Sequence, residues 1–336
     1  MVIIQLAGGL GNQMFQYALY LQLKSLGKDV KIDDVSGFVE DRQRDPALRP
    51  FGVSYERATK KELRRMLDSS PFLHAKIRRK LCGRKKKSYF EEDKCYRPEI
   101  MTWDDIYLEG YWQTEKYFQA VSDQVREAYD TDRLLSYIEK KEERKAGTMG
   151  VNSLRNLLYE ITRTESVSVH IRGGDYLLLQ NQKLFGNICT EAYYAAAMEQ
   201  MRREHPGCVF YLFTNDKDWA EKQINSKEMN SAGYENAAGG QNAPGNGENS
   251  QIRIVDLEES AWSGMDRDYA EFILMSRCRH NIMANSSFSW WASYLNGNPH
   301  KTVLAPEKWL NGWNCEDLYR ADMRKVRVPD TEEERS

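Results

Sequence analysis

Apolar and polar positions along this chain change period from two to roughly 3.6 and back, the signature of strands alternating with helices. Val2 to Leu6 is a short apolar run, and from Asn12 to Leu26 apolar residues recur at helical spacing. Val30 to Ile32 is a second β-rich run, following Gly27 in the position of a helix C-cap. The opening unit is therefore β-α-β, with "GGLGNQ" turning its strand into its helix. Further on, β-rich runs lie at Val167 to Ile171, Val209 to Phe213, Ile252 to Leu257, Asn281 to Ala284 and Lys301 to Leu304. The segments "EAYYAAAMEQMRREH", "DKDWAEKQI", "DYAEFILMSRC" and "SFSWWASYL" between or after them read as helices. This alternation predicts a parallel, doubly wound sheet. In the first half, "DIYLEGYW" reads as a strand and "EKYFQAVSDQVREAYD" as a helix.

A length of 336 residues accommodates two such α/β domains. The polar helical stretch Lys145 to Thr164 separates the two patterns, which places the domains at 1–155 and 156–330. Ser231 to Ser250 is rich in Gly, Asn and Ala, lacks periodicity and reads as a loop inserted between strands. "KIRRKLCGRKKK", Lys76 to Lys87, is a basic run suited to a solvated helix end or to weak contact with an anionic membrane surface. The balance of 48 Lys+Arg against 50 Asp+Glu gives a net charge of −2, so no global field draws nucleic acid or membrane. The six cysteines contain no CxxC pair, so neither a zinc knuckle nor a disulfide framework is signalled. No apolar run reaches the ~20 residues that span a bilayer, and no secretory signal is visible, so the expectation is a cytoplasmic protein.

Open α/β sheets bind ligands outside the carboxyl ends of their strands, and three predicted strand ends carry unusual content. "VSVHIRGGDY" brings His170 and Arg172 to one side of a strand, followed by Gly173, Gly174 and Asp175. "VFYLFTND" ends in Thr214, Asn215 and Asp216. "NIMANSSFSWW" sets Ser286 and Ser287 at a helix start. Arg172 would fork onto a diphosphate, and Ser286, Ser287 and the amides behind them would hold it from the other side. Asp216 would accept from a base N–H or a ribose hydroxyl. Singly, each has a plainer reading, as a salt-bridge partner or an ordinary cap. Their coincidence on three strand ends of one sheet is what points to a nucleotide.

Other chemistries fit less well. The opening glycines imitate a dinucleotide fingerprint, with Asp33 or Asp34 about 20 residues on. The third glycine of that motif is Met14 here, too large for close helix–strand packing. No GxxxxGK[ST] occurs. The acidic pairs Asp216/Asp218 and Asp266/Asp268 are of the metal-binding kind, but both begin predicted helices, where Asp is favoured anyway. The five histidines are scattered, so no zinc motif arises and no metal is expected.

"GGLGNQMFQYA", "YLEGYWQTEKYF", "VHIRGGDY", "FTND" and "NSSFSWWASYLN" together resemble the α-1,2-fucosyltransferases of bacterial type, glycosyltransferase family 11. The blocks keep that family's order over nearly the whole chain. The resemblance implies a GT-B fold, two Rossmann-like α/β domains facing a cleft, with the acceptor on the N-terminal side and GDP-fucose on the C-terminal side. It further implies a galactose-containing glycan as acceptor, inversion at the anomeric carbon, no metal and no other cofactor. Carried over by position, Arg172 grips the donor's β-phosphate, His170 stands beside the nucleotide, and Asp216 meets guanine or its ribose. Ser286, Ser287 and Phe288 cradle the diphosphate. Asn12 faces the fucose, and Gly9 and Gly11 let the backbone approach closely. Asp175 is either the general base or an anchor that orients Arg172. The family usually reads HIRRGDY, so Gly173 removes a second arginine and leaves the strength of donor binding open. Two other readings remain open, a nucleotide-sugar-binding protein without transfer activity and a dinucleotide-dependent Rossmann oxidoreductase.

Overall fold

The computed structural model describes residues 1–39, 41, 44–67, 77, 80–81, 87–143, 149–172, 179–214, 216, 251–257, 262 and 265–328. The chain divides into two compact units, Met1–Tyr137 with Asn314–Arg320, and Ile138–Trp313 with Ala321–Ser336. The division thus falls ahead of 155/156, and a short C-terminal segment returns to the first unit. The reason lies in Lys145 to Thr164. Its described part belongs to an amphipathic helix whose buried side, Leu154 and Ile161, packs in the second unit.

In the first unit, strands β1 (Val2–Gln5), β2 (Val30–Asp33), β3 (Ser88–Phe90) and β4 (Ile106–Glu109) form a parallel sheet of order β2-β1-β4-β3. Val2 stands opposite both Val30 and Ile106. Val2, Ile3 and Ile4 are all fully buried, so central β1 is covered on both faces, which is why it reads as an unbroken apolar run. Helix α1 (Leu10–Ser25) follows β1 and is stopped by Gly27, whose φ of 74° is a left-handed conformation that suits glycine. Helix α2 is Lys60–Met66, closed at its start by a Thr59/Glu62 capping box.

The segment Glu115 to Asp130 departs from the expected continuous helix. It makes two 3₁₀ turns, Glu115–Tyr117 and Gln119–Val121, before helix α3 (Ser122–Ala128). Tyr117 and Phe118 are both buried, and adjacent side chains cannot share one face of an α-helix. The backbone breaks at Phe118 (φ −138°, ψ 13°) to bury both. Helix α4 (Thr131–Glu143) then crosses the division between the units.

The second unit holds α5 (Met149–Arg163), β5 (Ser166–Ile171), α6 (Leu179–Phe185), α7 (Glu191–Glu204), β6 (Val209–Thr214) and β7 (Gln251–Ile254). It continues with α8 (Met265–Arg277), β8 (His280–Ile282), α9 (Ser287–Leu295), β9 (Val303–Pro306) and β10 (Met323–Val326). All the strand pairs are parallel, in the order β10-β9-β8-β5-β6-β7. Counted from β5, this is the doubly wound order, and it reverses between β5 and β8. Val167, Val169 and Ile171 of β5 pack under Tyr193, Tyr194, Ala197, Met198 and Met201 of α7. The alternate residues Ser166, Ser168 and His170 therefore face the opposite side. Two parallel α/β units of this kind give the expected α/β class.

Of Lys76 to Lys87, only Ile77, Lys80, Leu81 and Lys87 are among the described residues, and Ile77 and Leu81 are exposed. The loop Ser231 to Ser250 lies outside the described residues, as does the expected helix "DKDWAEKQI" apart from Asp216. No described helix is long and apolar enough to cross a membrane.

Candidate functional site

The reversal of strand order between β5 and β8 fixes where a ligand of the second unit belongs, outside the carboxyl ends of those two strands. The ladder pairs Val169 with Ile282. Arg172 directly follows β5, and Asn285 and Ser286 follow β8 just ahead of α9. Ser286 is the N-cap of α9, its hydroxyl accepting the Phe288 N–H at 3.3 Å. That leaves the Ser286 hydroxyl proton to donate elsewhere. Below it, buried Asn285 donates to the Trp309 carbonyl at 3.1 Å and accepts from the Cys189 thiol at 3.5 Å.

His170 lies on the same side of β5 as Arg172, only 7 % exposed, with its ring 5.7 Å from that of Phe288. Burial, reinforced by the charge of Arg172, pushes its pKa from 6.5 down to about 3. His170 is consequently a neutral imidazole at any physiological pH, a hydrogen-bonding group rather than an acid. Its Nδ1 is buried and has no hydrogen-bond partner among the described residues. Asp216 follows β6, the neighbour of β5, in a tight turn where its amide bonds Thr214 Oγ1 at 2.9 Å. Three of the expected strand ends thus gather at one edge of one sheet. Asp175, Gly173 and Asn215 lie outside the described residues.

The two acidic pairs separate. Asp266 is buried against Lys141 at 2.7 Å. Asp268, one turn before Phe272 on α8, shares the helix face that meets Phe288, because Phe272 packs edge-on against Phe288 at 5.4 Å. Asp268 is exposed, and desolvation by the neighbouring protein raises its pKa against the pull of Arg172 and Arg267. Asp266 and Asp268 thus stand in different settings, one buried against a lysine and the other exposed. Asp218 lies outside the described residues.

In the first unit β1 lies between β2 and β4. Gly8, with φ 74°, and Gly9, the N-cap of α1, make the turn after β1. A Cβ on Gly8 would meet Asn12 Nδ2 at 2.7 Å, so the Asn12 amide lies over the bare backbone there. A Cβ on Gly9 would meet nothing within 4 Å, so the chain's own packing does not require that glycine. Gly11 and Asn12 lie in the first turn of α1, and Asn12 Oδ1 accepts from Gln113 at 2.7 Å.

Sequence reasoning missed the residues that hold this turn. Buried Gln13 donates to the carbonyls of Gly8 (2.9 Å) and Asp45 (3.0 Å) and accepts the Ala47 amide at 2.7 Å. Buried Gln16 accepts the Ala7 amide at 3.0 Å and donates to the Gly110 carbonyl at 2.7 Å, joining the ends of β1 and β4. Glu91 accepts the amides of Tyr111 and Trp112 at 2.9 and 3.2 Å, which supports the left-handed Trp112 (φ 55°). Amides inside "GNQMFQ" were the available signal, because buried glutamines must find backbone partners.

The dinucleotide reading fails on the acids it needs. Asp33 accepts from Tyr107 Oη at 2.7 Å and from the amides of Val35 and Ser36 at 3.1 and 3.0 Å. Asp34 takes Tyr55 Oη at 2.9 Å and Arg57 at 2.7 Å. Both carboxylates at the end of β2 are thus committed inside the fold, away from any ribose.

The scattered histidines do come together at one place. Glu165, His205 and His280 each bring a possible ligand atom within 4.8 Å of the others, the one such group among the described residues. They sit at the amino ends of β5 and β8, opposite the edge that carries Arg172. The Thr302 amide donates to His280 Nδ1 at 2.9 Å, so the proton of the neutral ring is on Nε2 and points to Glu165 Oε1 at 2.7 Å. Neither nitrogen then offers a lone pair to a metal. The group is a partly buried hydrogen-bond knot with His205 stacked on His280 at 3.7 Å.

The glycosyl transferase family 11 model matches residues 1–244 and 252–322. The O-antigen biosynthesis glycosyltransferase WbnK of Escherichia coli is 29% identical over 325 residues, covering 93% of this chain and 96% of that protein. An α-1,2-colitosyltransferase of Escherichia coli is 26% identical over 317 residues, 92% of each. The human galactoside α-(1,2)-fucosyltransferase 1 is 29% identical over 131 residues, 39% of this chain and 29% of that one. Among solved structures, a mutant of Arabidopsis thaliana FUT1 in complex with GDP is similar at a TM-score of 0.43 and 14% identity, over 92% of this chain and 71% of that one. With a family model spanning both units, the chain belongs to glycosyl transferase family 11.

Proposed function

We propose that this glycosyltransferase moves L-fucose from GDP-β-L-fucose to the 2-hydroxyl of a galactoside, with inversion and without a metal ion. The observation that supports the reading is that Arg172 follows β5 and the amino end of α9 follows β8, the two neighbouring strands between which the order of the second unit reverses. As the bond from the sugar's anomeric carbon to the diphosphate breaks, the sugar becomes oxocarbenium-like and GDP gains negative charge. Arg172, the Ser286 hydroxyl and the first turn of α9, with Ser287 and Phe288, are preorganised to take that charge. Neutral His170 and Asp216 offer hydrogen bonds to the nucleoside. Asn12, Gly9 and Gly11 supply the sugar and acceptor side, and Asp175 serves as general base or as the anchor of the Arg172 turn. The acceptor is a glycan, in surface-polysaccharide or related glycan synthesis on the cytoplasmic side of the membrane, where the basic run Lys76 to Lys87 would give weak peripheral contact.

The α-1,2-colitosyltransferase relative favours one second reading, in which the same site takes colitose, the 3-deoxy counterpart of fucose. Mass spectrometry of the protein incubated with GDP-fucose or GDP-colitose and a panel of galactosides, with and without excess EDTA, tests all of this. A fucosylated galactoside formed in EDTA is expected. Product from GDP-colitose alone moves the donor assignment, and turnover lost to EDTA and restored by manganese ends metal independence. No product from either donor, with GDP still bound, reduces the protein to a nucleotide-sugar binder.

A further inference from the structure

Consecutive residues on an α-helix point about 100° apart, so two neighbours can reach two adjacent strands but not one. Tyr193 and Tyr194, in the first turn of α7, use this difference. Tyr193 Oη donates to the Met283 carbonyl at 2.5 Å, just past the end of β8. Tyr194 Oη donates to the His170 carbonyl at 2.9 Å, near the end of β5. The Arg172 amide is a further partner of the Tyr194 hydroxyl. Both rings are 1 % exposed and pack edge-on at 5.0 Å, and the helix start beneath them is capped by Thr190 Oγ1 on the Tyr193 amide at 3.3 Å. A leucine at either position would fill much of the space. The hydroxyls are what reach the strand ends.

Resting on the donor reading above, we propose that Tyr193 and Tyr194 are positioning residues, a two-hydroxyl clamp that sets the spacing between Arg172 and the Ser286 helix start. The diphosphate must be met from both sides at once, and a shift of a fraction of an ångström at one strand end degrades both contacts. Neither tyrosine touches the donor; they act through the backbone carbonyls of His170 and Met283.

Tyr193→Phe and Tyr194→Phe keep the packed rings and remove only the hydroxyls. Tyr211→Phe is the control, since its hydroxyl bonds Thr164 Oγ1 at 3.3 Å, before the start of β5 and away from the site edge. Calorimetry with GDP is expected to give a Kd raised about tenfold in each clamp variant and within twofold of wild type in Tyr211→Phe. Turnover should fall with the donor KM raised and the acceptor KM unchanged, a split that general loosening would not produce. Hydrogen exchange on the ligand-free protein gives a readout independent of the donor, with faster exchange at 283–288 or 170–172 in the matching variant and none at 209–214. Clamp variants with wild-type GDP affinity, or without that local exchange, overturn the proposal. If wild-type protein binds no GDP, the donor reading falls, and the exchange pattern alone decides whether the clamp stands.

Discussion

The imidazole of His170 and the ring of Phe288 lie 5.7 Å apart, centroid to centroid and tilted by 42°, so the end of β5 packs directly on the first turn of α9. Phe288 also meets Phe272 of α8 edge-on at 5.4 Å, which makes it the middle of a three-element aromatic row. Such pairs contribute roughly 0.5–1.5 kcal/mol each beyond burial. Phe288→Ala is expected to lower the melting temperature by a few degrees and weaken GDP about fivefold or more. Calorimetry with unchanged GDP affinity would detach Phe288 from the site.

Acid should destabilise the protein through His170. Its folded pKa is lowered from 6.5 to about 3, so below 6.5 the unfolded state binds a proton that the folded state refuses. Stability from this group is therefore full above about pH 6.5 and declines as pH falls toward 3. Between about pH 7.5 and about pH 5 the loss should be on the order of 2 kcal/mol. His280, also lowered, chiefly by burial, adds in the same direction. Urea unfolding at the two pH values checks this, and His170→Asn should flatten the difference. An equal slope in the variant would contradict a neutral, buried His170.

Arg172→Ala is expected to leave the melting curve nearly in place and abolish most turnover. A charge-assisted bond contributes about 1.5–3 kcal/mol in ground-state terms, and more where charge develops. A loss of ~3 kcal/mol from the transition state slows the reaction roughly a hundredfold. Steady-state kinetics near the wild-type values would remove Arg172 from the site.

Gln16→Leu should cost stability without touching the second unit. The change removes the buried amide whose two ends hold the Ala7 N–H and the Gly110 carbonyl. Unpaired buried groups cost about 1–3 kcal/mol each, so a loss of roughly 3 kcal/mol is expected in denaturant titration, with GDP affinity retained. A change below about 0.5 kcal/mol, within the range of an ordinary surface substitution, would show that the turn is held by something else.

Much of the second unit could be read in advance because its central strands are buried on both faces and spell continuous apolar runs. Two of the edge strands could not. "SYF" of β3 and "MRKV" of β10 carry no such run, and pairing with β4 and β9 makes them strands. Met323 and Val326 turn inward while Arg324 and Lys325 stay exposed. The site divides in a similar way. Strand-end side chains such as His170, Arg172 and Ser286 announce themselves by position. Tyr193, Tyr194, Gln13, Gln16 and Glu91 work by reaching backbone groups that folding alone brings near, so their types and spacing said little. The His205–His280 stack joins residues 75 positions apart, a distance no spacing rule spans.

The return of Asn314–Arg320 to the first unit has a consequence for recombination. Within that unit Asp317 accepts the Tyr96 amide at 2.6 Å and pairs with Lys116, and its carbonyl takes the Thr114 hydroxyl. A gene fragment encoding 1–137 alone would leave the Tyr96 amide and the Lys116 ammonium without this carboxylate. A chimera that exchanges the second unit with a relative therefore needs three joints, at 137/138, 313/314 and 320/321. Single-crossover hybrids made at the middle of the gene would inherit a mismatched strap, and their failure to fold would say nothing about donor choice.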